Sequence, residues 1–188
     1  MNIARGLLAV ILFGFSLMSW GGILNEGNKP GDWQLEDSGG KVFKSEASSA
    51  KVLMVNYLAP EEADMNSHVT EAMEKAVREG VLSQDECISM AIIDCKASWK
   101  PNCLIREFAS SKIEKYKKAK IKLLFDYNAS LRNNWGFEKG SSNIVIFDRN
   151  GICRAVIRGR VPEHKVNDLL ALVRKLQNET NSFASLYP

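Results

Sequence analysis

Four cysteines, Cys87, Cys95, Cys103 and Cys153, are the residues of this 188-residue chain best suited to covalent or redox chemistry. A thiolate is both a nucleophile and a soft metal ligand, so cysteine spacing is informative. The intervals between Cys87, Cys95 and Cys103 fit neither a Cys-x-x-Cys metal knuckle nor a haem-attachment Cys-x-x-Cys-His. The two histidines, His68 and His164, stand far from them and read as surface residues. We therefore expect no metal site and no cofactor. Cys95 and Cys103 flank Lys96-Ala97-Ser98-Trp99-Lys100-Pro101-Asn102, and three states are open to them. They could close a structural disulfide, stand as unpaired thiols, or act as a redox pair, for which only Lys96 and Lys100 lie near enough in sequence to lower a thiol pKa. No residue is assigned as catalytic. The carboxylates Glu61, Glu62 and Asp64 fit the first turn of a helix, where the backbone dipole favours negative charge, better than a cation site.

The elements that position these groups can be read from the pattern. Apolar residues make up 45% of the chain and charged ones 25%, which predicts one globular domain with a sizeable core. Residues 1–21 differ: Arg5, an uncharged apolar run from Gly6 to Trp20, and small residues about Trp20 predict a signal peptide, cleaved after Gly21 or else retained as an N-terminal anchor. No cysteine near that point offers a lipid anchor. A polar connector, 22–30, leads into a domain at 31–178, and 179–188 reads as a C-terminal tail. Losing Arg5 leaves the chain nearly neutral, and Lys112, Lys115, Lys117, Lys118, Lys120 and Lys122 are interleaved with apolar residues. Nucleic-acid binding is thus not expected, nor any membrane contact beyond the signal segment.

A hairpin at 31–43 is followed by the near-continuous apolar run 51–58, the expected central strand. Met65, Val69, Met73, Ala76 and Val77 then mark an amphipathic helix ending near Gly80, with Ser67 as its cap. A second buried strand covers 87–94. A helix at 103–118 carries Leu104, Ile105, Phe108, Ile113 and Tyr116 on its apolar face, and a strand covers 121–126. Residues 127–142 read as irregular. Strands at 143–148 and 152–157 turn at Arg149-Asn150-Gly151, and Pro162 opens a helix striped by Val166, Leu169, Leu170, Val173 and Leu176. This order predicts an α/β fold, a mixed sheet with helices on both faces.

The same order resembles a thioredoxin-like domain. An oxidoreductase of that kind places Cys-x-x-Cys between the central strand and the first helix, where the helix N-terminus lowers the leading thiol's pKa. This chain has Ala59-Pro60-Glu61-Glu62-Ala63-Asp64 there, and Ser142 where such enzymes carry a proline before the terminal hairpin. A carboxylate cannot replace a thiolate in disulfide exchange. Leu124-Phe125-Asp126, Trp135, Ser141-Ser142, Val145-Ile146-Phe147-Asp148-Arg149-Asn150-Gly151 and Pro162-Glu163 together resemble the YtfJ family of exported bacterial proteins. The resemblance implies a thioredoxin-like fold and a periplasmic location but no catalytic residue. The chain departs from it at Val161, where Thr or Ser would precede Pro162.

The expected binding face lies at the strand ends and comprises Pro60, Glu61, Trp99, Trp135 and Ser142. Exposure of Trp99 beside Trp135 would mark a groove; otherwise each is a core or rim aromatic. The expected activity is non-catalytic binding of an unidentified periplasmic protein or small ligand. The alternative is a divergent thiol oxidoreductase or peroxidase using Cys95 or Cys103.

Overall fold

The computed structural model describes residues 22–48 and 50–184 of the chain. The expected export segment, 1–21, lies outside the described residues. Among the described residues no helix is long and apolar enough to cross a membrane.

Among the described residues seven strands form one mixed sheet in the order β2-β1-β5-β4-β3-β6-β7. They are β1 Gln34–Glu36, β2 Val42–Lys44, β3 Val52–Leu58, β4 Cys87–Asp94, β5 Lys122–Asp126, β6 Ser142–Phe147 and β7 Cys153–Arg158. β3, β4 and β5 run parallel, with Val55 opposite Met90, while β6 pairs antiparallel with β3 and β7 with β6. The run 52–58 lacks alternation because both faces of β3 are covered, as the sequence predicts.

Among the described residues four α-helices, α1 Ser67–Arg78, α2 Asn102–Ile113, α3 Ser130–Trp135 and α4 Glu163–Ala184, cover the two faces. On one face α3 brings Leu131 and Trp135 onto Leu53, Val55, Tyr57, Ile92 and Val145 in a single continuous core. On the other, α1 and α4 pack Val69, Met73, Val166 and Leu169 over Met54, Ile144 and Ile146. α2 forms a separate cluster in which Ile105 meets Leu58, Ile93, Cys95 and Phe125.

Four expectations need correction. Residues 127–142 contain α3, because the Asp126 carboxylate accepts hydrogen bonds from the Ser130 and Leu131 amides at 2.8 Å and so caps a helix that the local residues only weakly favour. The second helix stops at Ile113 and continues as a 3-10 stretch, Glu114–Ala119, in which Tyr116 leaves helical geometry. The segment 22–30 is docked: Leu24 is buried, and the Gly27 amide and Asn28 carbonyl bond the backbone of Cys153. Gly136, at φ +66°, closes α3 beside it, where a Cβ would come within 3.0 Å of Ile23. Finally, α4 runs to Ala184, past the expected start of the tail at 179.

Candidate functional site

The point at which β3 hands the chain to α1 is where a thioredoxin-like enzyme would hold its thiols. Here Pro60–Glu62 makes a 3-10 turn with no sulfur in it. Glu61 accepts hydrogen bonds from the Ser98 hydroxyl at 2.7 Å and the Lys100 ammonium at 2.8 Å. Burial acts to raise the Glu61 pKa, but the bonds from Lys100 and Ser98 outweigh it and hold the carboxyl below its ordinary range. The loop after β4 thereby clasps the loop after β3. Trp99, in the same loop, is 87% exposed, with the Lys100 ammonium 5.9 Å from its ring centre.

The structure brings Pro60, Glu61 and the Trp99 loop together but removes Trp135 from that face. Trp135 is 2% exposed and packs edge-on to Trp33 and Phe137 in the core, on the opposite side of the sheet from the groove described below. The indole that ends α3 is drawn under the sheet because burying it stabilises more than exposing it. Ser142 is also fully buried. It accepts a hydrogen bond from the Asn66 amide at 3.0 Å and donates to Asn56 at 3.2 Å, so its hydroxyl pins the start of β6 to the start of α1.

No Cys95–Cys103 disulfide forms: all four cysteines are free. Cys95 follows β4 directly, opening a 3-10 turn, and packs into the α2 cluster, whereas Cys103 faces solvent from the first turn of α2. Burial, and then the charges of Asp126 and Asp94, push the Cys95 thiol up to about 12. Burial likewise pushes Cys87 and Cys153 up to about 11. At neutral pH these three are thiols rather than nucleophiles. Dithionitrobenzoate should therefore label Cys103 alone in native protein, the other three reacting only after denaturation. A rapid phase that persists in Cys103→Ser protein would contradict this.

Between α1 and α2 the sheet is only partly covered. α1 leans toward α4, and α2 packs toward β5 through Ile105 and Ala109. The strip between them is floored by the small or polar Asn56, Ser89 and Ala91, and the result is an apolar groove of about 270 Å³. The expected apolar face of the second helix is rotated by this arrangement. Leu104 and Phe108 point outward, Phe108 being 72% exposed at the groove's lip, while Ile105, Ala109 and Ile113 face inward.

One buried constellation escapes a local reading of the sequence. Tyr57 donates to Asp126 at 3.0 Å, and Arg132 donates to Asp94 at 2.7 Å, both carboxylates lying on adjacent strand ends. Burial raises the Asp94 pKa despite Arg132. It also raises that of Tyr57, helped by Asp126 and Asp94. Among the described residues no group of histidine, cysteine and carboxylate side chains could hold a metal ion.

Solved structures with this fold are numerous. A Bacteroides thetaiotaomicron protein assigned as a protein disulfide isomerase matches with TM-score 0.65 and 16% identity, over 86% of this chain and 96% of its own. A Chlorobium tepidum protein assigned as thiol:disulfide interchange protein DsbE gives 0.57 and 16%, over 80% and 98%. The exposed lipoprotein thioredoxin Etrx1 of Streptococcus pneumoniae gives 0.56 and 12%, over 76% and 99%. These likenesses show a thioredoxin-like fold. No curated protein matches the chain. A family described as bacterial protein of unknown function, YtfJ_HI0045, matches residues 29–176, and the chain belongs to that family.

Proposed function

We propose that this chain is an exported, non-catalytic thioredoxin-like module that binds its ligand beside the place where relatives of this fold keep a dithiol. The observation that carries the reading is the replacement of that dithiol by a Glu61–Ser98–Lys100 clasp next to an open apolar groove. Thiol exchange needs an accessible thiolate with a partner. Cys95 is buried with a raised pKa, and Cys103 is exposed without a second sulfur joined to it. A periplasmic location is supported by the signal-peptide pattern of residues 1–21 and agrees with the description of one structural neighbour as an exposed lipoprotein.

The test is insulin reduction with dithiothreitol as electron donor. Purified protein should give the uncatalysed rate, unchanged in Cys95→Ser and Cys103→Ser. A rate above background that disappears in Cys103→Ser would establish the rival reading, a divergent thiol oxidoreductase.

A further inference from the structure

The groove has a length, a wall chemistry and a polar end, and together these narrow what it can hold. It follows α1 from Pro60 and Ser67 at one end to Leu82 and Gln84 at the other. The twelve residues of α1 make that about 18 Å at a rise of roughly 1.5 Å per residue. A volume of about 270 Å³ drawn out over that length is a narrow channel. Such a channel suits a flexible chain better than a broad ring system. The volume lies near the lower end of ligand pockets, which span roughly 300–1,000 Å³ and are mostly apolar with a few polar groups that fix orientation.

Met54 and Met73 line it, and methionine's flexible thioether adapts its shape to a mobile hydrocarbon. The polar floor groups are partly engaged within the protein. Asn56 already accepts from Ser142, and Ser89 hydrogen-bonds the Cys87 thiol. The charged groups that line the groove are Glu74 on α1 and the two lysines Lys100 and Lys112, which stand near its Pro60 end. Both lysines now pair across the mouth with carboxylates on the α1 side, Lys100 with Glu61 and Lys112 with Asp64. Those carboxylates are substantially exposed, and an exposed ion pair contributes only about 0–1 kcal/mol. A ligand carboxylate can therefore take the place of Asp64 or Glu61 at little cost, while its chain removes apolar surface from water.

Resting on the binding-module reading above, we infer that the groove binds a single-chain amphiphile with an anionic head, a fatty acid in chemical class. The acyl chain lies between α1 and α2 over Ser89 and Ala91, and the carboxylate meets Lys112 and Lys100. No bond is made or broken.

The experiment is displacement of dansyl-labelled undecanoic acid from the purified protein by dodecanoate and by dodecanol. Dodecanoate should displace the probe saturably at one site per chain, and dodecanol at least tenfold less well. Ala91→Leu on the floor and Ala109→Leu on the α2 wall narrow the channel from different sides. Each should weaken dodecanoate at least tenfold while leaving the circular dichroism spectrum unchanged. Lys112→Met should weaken dodecanoate several-fold and dodecanol hardly at all. Saturable binding indifferent to both leucine variants would put the chain elsewhere and overturn the inference, as would equal affinity for acid and alcohol. Absent binding with a blank insulin assay would overturn the ligand class alone. Thiol turnover lost in Cys103→Ser would instead overturn the reading beneath it.

Discussion

Replacing Arg132 by Met is expected to lower the stability of the fold by about 3–5 kcal/mol at neutral pH, the cost of leaving a buried charge unpaired. Asp94 is 2% exposed and has the Arg132 guanidinium at 2.7 Å. Its other bond is accepted from the Lys96 amide. Methionine keeps the apolar length of the arginine stem but supplies no charge, so Asp94 must either stay ionised without its cation or take up a proton. For a domain of this size each kcal/mol moves Tm by about 2–4 °C, so the loss is readily seen in a thermal melt.

The pH dependence has a definite sign. Burial already raises the Asp94 pKa in the native protein, with Arg132 opposing it. A carboxyl that binds its proton more tightly when folded makes stability fall as pH rises through the window between its unfolded and folded pKa values. Without Arg132 the folded value climbs further and the window widens upward. The deficit of Arg132→Met is therefore complete above that folded pKa and shrinks as pH falls toward about 4, the ordinary aspartate value. Urea unfolding of both proteins at neutral and mildly acidic pH measures the gap. A gap that stays constant over that range would mean that Asp94 is not the group left stranded.

Much of the framework is legible in the chain because local pattern and tertiary burial agree. β3 and β4 read as buried strands since both are covered on two sides, and α4 reads as a helix since its apolar residues recur at three and four. What escaped depends on groups distant in sequence. α3 is six residues long, too short to show a period, and its cap reaches forward from the end of β5. Leu104, Ile105 and Phe108 are equally apolar, and only the cluster of Leu58, Ile93, Cys95 and Phe125 beneath the helix selects Ile105 to face inward. The Cys95–Cys103 interval says nothing of direction, and one thiol points into a core while the other points into water. The candidate site is marked in the sequence by an absence, since Glu61 and Glu62 stand where a thioredoxin-like enzyme carries sulfur. Its groove could not be foreseen, because it arises from two helices leaning apart over small residues.

Asn66→Ala is expected to remove about 2–5 kcal/mol, on a cost of roughly 1–3 kcal/mol for each buried polar group left without a partner. Asn66 immediately precedes α1 and is 1% exposed. Its amide donates to Ser142 and to the Gly159 carbonyl, each at 3.0 Å, and its carbonyl accepts from the Val161 amide at 2.8 Å. One side chain thus ties the start of α1 to the start of β6 and to the turn entering α4. Val161 is fully buried, so water cannot reach its stranded amide once Asn66 is truncated. Ser142→Ala should cost less, because Asn66 retains its two backbone partners. Because the two residues share one hydrogen bond, the double variant should lose at least about 0.5 kcal/mol less than the singles added together. Chemical denaturation of the four proteins closes this cycle. Strict additivity would show that Ser142 and Asn66 stabilise the fold separately. A coupled result would make the serine a structural link in the place where thioredoxin-like enzymes carry proline.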